Sequence, residues 1–165
     1  LGIDLQFESA VGKGTQFTLT LPTAVDAMQL DNVNPKDSAQ LNWSPLIVIV
    51  DDEKDIRDGM SMLLTDWGCQ VITAATGADA ILLLNATPET PRLFIVDKRL
   101  ANNESGVDVI ALMREEVNED IAAVIMTGDL TGFERLEHDA SINVMPKPIN
   151  PHEIKRLIDA LSPPK

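Results

Sequence analysis

From Pro45 onward the chain repeats one pattern five times: a short apolar run that reads as a strand, then a longer stretch with helical spacing. Leu46–Val50 is continuously apolar and rich in β-branched residues, the composition of a strand buried on both faces of a parallel sheet. Behind it Ile56, Met60, Leu63, Leu64 and Trp67 recur at helical intervals, with Asp52 and Asp55 at the helix mouth. Further strands are predicted near 70–74, 93–96, 122–126 and 142–145, and helices near 78–86, 106–117, 131–138 and 151–161. The helix near 131–138 is the weakest of these, being short and holding Gly132. Parallel strands joined by helices require right-handed crossovers, so the fold class is α/β, a doubly wound five-stranded parallel sheet.

The segment before this repeat has another texture. Ile3, Leu5 and Phe7 alternate with polar residues, as do Phe17, Leu19 and Leu21, around the glycine-bearing turn Ala10-Val11-Gly12-Lys13-Gly14. Residues 1–22 therefore predict a β-hairpin with six apolar side chains on one face. A lone hairpin is marginal in water, so the face is expected to pack on the chain's own sheet domain or on a neighbouring copy, which would give a dimer through the hairpin. The chain opens at Leu1 inside a strand-like pattern and is expected to be a piece of something longer. Residues 23–44 are rich in Asp, Asn, Gln, Ser and Pro and predict a linker.

In an open sheet, ligands gather beyond the carboxyl ends of the strands. The first strand ends in Asp51-Asp52-Glu53, the third in Asp97, the fourth in Thr127-Gly128 and the fifth in Lys147-Pro148; the second ends without an obvious polar group. Three carboxylates drawn together at one edge repel unless positive charge joins them. Lys147 supplies one charge, and a divalent cation suited to hard oxygen ligands, Mg²⁺, supplies the rest. One carboxylate can then attack phosphorus while Lys147 and the Thr127 hydroxyl hold phosphoryl oxygens. With 26 acidic against 13 basic residues, the net charge of −13 argues against a protein that coats nucleic acid or anionic lipid. The single Cys69 cannot form an internal disulfide, and no apolar run approaches a membrane span of roughly 18 residues. The expected location is the cytoplasm, any membrane anchor being confined to a parent protein.

These residues resemble the receiver (response-regulator) domain of two-component signalling across 45–165. The resemblance implies a flavodoxin-like strand order, 2-1-3-4-5. It implies an acidic pair, Asp51 and Asp52, for Mg²⁺, and Asp97 as the acceptor of a phosphoryl group from a phosphohistidine. Thr127 matches the switch hydroxyl and Lys147 the phosphate-sensing lysine, with a cis peptide to Pro148. By position, the backbone carbonyl of Arg99 is the remaining protein ligand of the metal. The segment from Ser9 to Pro22 is similar to the end of a histidine-kinase ATP-binding domain with its last glycine box. Kinase tail, linker and receiver in that order resemble the carboxyl-terminal part of a hybrid sensor histidine kinase. The phosphodonor implied is a histidine-kinase or histidine-phosphotransfer domain, with no nucleic acid or membrane partner for these residues, which lack a phosphorylatable histidine domain and should not act as a kinase.

Two features depart from the family pattern. Val144 stands where receivers commonly place Phe or Tyr, which puts hydroxyl–aromatic coupling in doubt, and Leu100-Ala101 stands where Met-Pro is common. Lys98 and Arg99 read as solvated loop residues, and His138 and His152 as surface histidines. Two competing functions follow: a receiver-like interaction module that works without phosphorylation, kept open by Val144, and a haloacid-dehalogenase-type phosphatase. The second places a further Asp two residues after its nucleophile, where this chain has Arg99.

Overall fold

The computed structural model describes residues 4–10, 12, 14–20, 43–128 and 141–161. The chain divides into two units, Leu1–Ser38 and Ala39–Lys165. In the first, β1 (Asp4–Ala10) pairs antiparallel with β2 (Gly14–Thr20), with Leu5 opposite Leu19 and Phe7 opposite Phe17. The Phe7 and Phe17 rings lie 6.3 Å apart across the strands, and both are exposed. Gly12 and Gly14 take φ of 77° and 90°, the left-handed turn geometry that glycine reaches without strain. Ile3 and Leu21, expected on the same face, lie outside the described residues, as do the linker residues 23–42.

The second unit is a five-stranded parallel sheet of β3 (Leu46–Val50), β4 (Gln70–Ala74), β5 (Leu93–Asp97), β6 (Ala122–Thr127) and β7 (Ile142–Pro146). Their spatial order, β4-β3-β5-β6-β7, is the expected 2-1-3-4-5. The helices are α1 (Lys54–Asp66), α2 (Gly77–Asn85), α3 (Gly106–Val117) and α4 (Pro151–Ala160). The helix predicted near 131–138, and His138 with it, falls outside the described residues.

Alternation along each strand divides the core in two, as a doubly wound sheet requires. Val48, Val50, Phe94, Val96 and Ile125 pack with Ala80 and Leu84 of α2 and Val109, Ile110 and Met113 of α3. Ile47, Ile49, Ile95, Val124 and Met126 pack with Leu64 of α1 and Ile154 and Ile158 of α4. The same strands thus bury both faces, which is why they read as unbroken apolar runs.

Among the described glycines, Gly106 at the start of α3 is the most closely packed. A Cβ added to Gly106 would stand 2.0 Å from the Asp97 carbonyl oxygen, and the Gly106 N–H donates to the Lys98 carbonyl at 3.1 Å. Backbone meets backbone there, and nothing can rotate away. Gly59, inside α1, has no atom within 4 Å of such a Cβ. Gly106→Ala should therefore cost about 2–3 kcal/mol by overpacking, whereas Gly59→Ala should add about 0.5–1 kcal/mol through helix propensity. Urea unfolding of both variants checks the pair; a Gly106→Ala protein as stable as wild type would contradict this packing.

Candidate functional site

Four strand ends converge at the carboxyl edge of the sheet. In register, Val50 of β3 stands beside Val96 of β5, Asp97 beside Met126, and Thr127 beside Pro146 of β7. Asp51 therefore follows β3 next to Asp97 at the tip of β5, and Lys147 follows β7. The Lys147 N–H donates to the Thr127 carbonyl at 2.7 Å, and the Lys147–Pro148 peptide is cis, as expected.

The centre of the cluster is the Lys147 ammonium. Its Nζ donates to Asp51 Oδ2 and to Asp97 Oδ2, both at 2.8 Å, with Glu53 Oε1 3.9 Å away. Asp51 is wholly buried, and its other oxygen, Oδ1, accepts from the Glu53 N–H at 2.8 Å. Both oxygens of this carboxylate are thus engaged, which a buried charge requires. Asp97 is only half-buried, and its Oδ1 has a longer contact, 3.4 Å, from the Arg99 N–H. Thr127 is buried at the tip of β6, and its neighbour Gly128 is exposed, with open space where a side chain would stand.

The structure brings into the acidic cluster one residue that the sequence did not single out. Asp51, Glu53 and Asp97 each present an oxygen within 4.8 Å of the others, whereas Asp52 is exposed and outside that group. The cause is local. The bond from the Glu53 N–H to Asp51 Oδ1 closes an Asx-turn, which leaves Asp52 at the apex and brings residue 53 back over the edge. A carboxylate two residues before a helix N-cap is the signal that could have pointed to it, since Glu53 is the N-cap of α1. Arg57 was also missed: its Nη1 donates to the Asp51 carbonyl at 2.5 Å and ties the acidic loop to α1.

Lys98 is half-buried and Arg99 exposed. His152 is exposed at the start of α4, its N–H donating to the capping Asn150 Oδ1. Val144 is a half-buried residue of β7. Beside Lys147, an apolar groove of about 500 Å³ opens among Ile56, Met60 and Leu63 of α1, Met126, Pro148 and Ile154. Among the described residues no helix is long and apolar enough to cross a membrane.

Residues 47–159 match the response regulator receiver domain. The chain is 26% identical over 154 residues to the sensor kinase CckA of Brucella abortus, covering 87% of this chain and 16% of that protein. It is 31% identical over 121 residues to the probable transcriptional regulator ycf27 of Pyropia yezoensis, covering 71% of this chain and 47% of that one. With the sporulation initiation phosphotransferase F of Bacillus subtilis it shares 27% identity over 121 residues, covering 72% of this chain and 94% of the relative. The chain thus spans less than half the length of the first two relatives. Among solved structures, the anti-anti-sigma factor PhyR of Bartonella quintana superposes with a TM-score of 0.59 at 28% identity, over 74% of this chain and 49% of that one. A response regulator receiver domain protein of Clostridium thermocellum superposes with a TM-score of 0.59 at 21% identity, over 70% and 91%, a likeness of fold alone.

The ion pairs carry a pH signature. Burial pulls the Lys147 ammonium down, but hydrogen bonds and Coulomb attraction from Asp51 and Asp97 outweigh it, and its pKa ends above the ordinary 10.5. A cation held this way contributes stability in full below the unfolded pKa and loses it as pH rises through the folded value. The stability gap between wild type and Lys147→Gln should hold steady from about pH 8 to 10 and narrow above about 10.5. Denaturant titrations across that range measure it; a gap unchanged at higher pH would contradict the pairing.

Proposed function

The chain belongs to the response regulator receiver domain family of two-component signalling, and from that premise we propose that Asp97 takes up a phosphoryl group from a phosphohistidine on a histidine-kinase or histidine-phosphotransfer partner. The observation that carries the assignment is the inequality of the two carboxylates that share Lys147. Asp51 is buried with both oxygens occupied, whereas Asp97 is partly open to solvent. Of these two, Asp97 is the one with an oxygen that an incoming phosphorus can reach.

An Asp97 oxygen attacks phosphorus, the P–O bond forms, and the P–N bond to the donor imidazole breaks. The imidazole leaves with the electron pair and is neutral once its other nitrogen holds a proton; the product is an acyl phosphate. Lys147, already 2.8 Å from Asp97 Oδ2, needs only a small shift to pair with phosphoryl oxygens. The Thr127 hydroxyl donates to another. The apolar groove beside Lys147 offers the donor domain a surface to rest on.

The site fits Mg²⁺. Bonds of about 2.1 Å in an octahedron set ligand oxygens about 3–4 Å apart, close to the spread of the Asp51, Glu53 and Asp97 oxygens. Asp51 and Asp97 would hold the ion with the Arg99 backbone carbonyl, and the 52–53 loop would supply a third carboxylate, Glu53 by the observed geometry or Asp52 by family resemblance. When bound, the ion neutralises charge on the phosphoryl oxygens. The larger assembly belongs to the same reading: residues 1–22 as the tail of a histidine-kinase ATP-binding domain, 23–44 as linker and 45–165 as receiver of a hybrid kinase. Its support is the alignment with the sensor kinase, which covers 87% of the chain and so runs into the residues before the receiver.

Intact-mass measurement after incubation with phosphoramidate and Mg²⁺ tests the central role. One phosphoryl adduct is expected on wild type and none on Asp97→Asn. Thr127→Ala should slow uptake roughly 10- to 100-fold, the worth of one hydrogen bond to a charged group. An undiminished adduct on Asp97→Asn would overturn the assignment.

A further inference from the structure

The loop after Asp97 is a miniature hairpin. Arg99 and Ser105 form an isolated antiparallel bridge, the Leu100 N–H donates to the Glu104 carbonyl at 3.0 Å, and the Gly106 N–H donates to the Lys98 carbonyl at 3.1 Å. Between them the chain reverses at Asn102 and Asn103, which both take left-handed backbone, with φ of 60° and 58°. The Glu104 N–H closes the turn on the Ala101 carbonyl at 3.3 Å. Two successive left-handed residues at a hairpin tip make a type I′ turn, a geometry that only Gly, Asn and Asp adopt at low cost.

The hydrogen-bond pattern fixes which way Arg99 faces. Bonds flank the Arg99–Ser105 pair rather than join it, so Arg99 is a non-hydrogen-bonded position of the ladder. Such a residue turns both its N–H and its C=O away from the partner strand, to one side. The Arg99 N–H lies toward Asp97 Oδ1 at 3.4 Å, so its carbonyl is turned to the carboxylate side as well. The far arm is anchored independently. Glu104 Oε2 accepts from the Gly77 N–H at 3.2 Å, at the positive N-terminal end of α2.

We propose that Asn102 and Asn103 are positioning residues for the metal site: their paired left-handed backbone closes the hairpin that aims the Arg99 carbonyl at the acidic cluster. Their contribution is backbone conformation and not side-chain chemistry. The inference rests on the Mg²⁺-dependent phosphoacceptor reading and adds a device specific to this chain's loop, where Leu100-Ala101-Asn102-Asn103 occurs.

Calorimetric Mg²⁺ titration of the whole chain, together with urea unfolding without metal, tests it on four proteins: wild type, Asn102→Gly/Asn103→Gly, Asn102→Val/Asn103→Val and Asp97→Asn. The glycine pair, free to keep positive φ, should bind Mg²⁺ within about twofold of wild type. The valine pair, which resists that region, should bind about tenfold more weakly, with displaced Arg99 and Leu100 amide resonances in the metal-free spectrum. A valine pair that unfolds earlier but binds Mg²⁺ as wild type does would reduce the turn to a structural part and overturn the proposal. So would a glycine pair as impaired as the valine pair. Wild type that binds no more Mg²⁺ than Asp97→Asn would overturn the metal reading itself, and this inference with it.

Discussion

One ammonium stands between two carboxylates at this sheet edge, and most of the local structure follows from that contact. Asp51 has no exposed surface, so its charge survives only with partners on both oxygens. Lys147 is one of them, yet it arrives from β7, which β5 and β6 separate from β3. The pairing therefore forms only when the strands from β3 to β7 are assembled in order. Completing the fold and completing the site are one event.

The rest of the edge holds the neighbours of that contact in place while leaving Asp97 reachable. Arg57 ties the Asp51 carbonyl to α1, and the Asx-turn at Asp51 carries the chain into the same helix. Gly106 lets α3 begin against the Asp97 carbonyl, at a separation no side chain would tolerate. Each of these fixes backbone close to a charged group. In low effective dielectric, preset geometry spares the reorganisation that charge transfer would otherwise demand. Of the two carboxylates that accept from Lys147, Asp97 is the one with an open side, and a receiver needs that combination if it is to be modified and then read.

Much of this was legible in the residues. The alternation of Val48, Val50, Phe94 and Val96 with Ile47, Ile49 and Ile95 between two cores makes the strands stand out as buried on both faces. Polar residues where those runs stop then mark the edge, which is how Asp51, Asp97, Thr127 and Lys147 could be found. The nearness of Glu53 to Asp51 and Asp97 was harder to read, because it follows from a side-chain-to-backbone bond that leaves no periodic trace. The Arg99–Ser105 hairpin escaped for a related reason. Its arms are too short to show any period, and Asn102-Asn103 signals a I′ turn only once the flanking residues are known to pair. Periodicity reports elements, whereas local hydrogen bonds decide how side chains are delivered beyond them.

If the four strand ends form one site, they respond to a phosphoryl group together. The direct measurement is the amide spectrum of the isotopically labelled chain, recorded with Mg²⁺ before and after beryllofluoride, which mimics a phosphoryl group on a carboxylate. Coordinated shifts are expected at Asp51, Asp97, Arg99, Thr127 and Lys147, and none of them in Asp97→Asn. A spectrum unmoved at Thr127 and Lys147 would contradict the account and leave a receiver fold that works without phosphorylation.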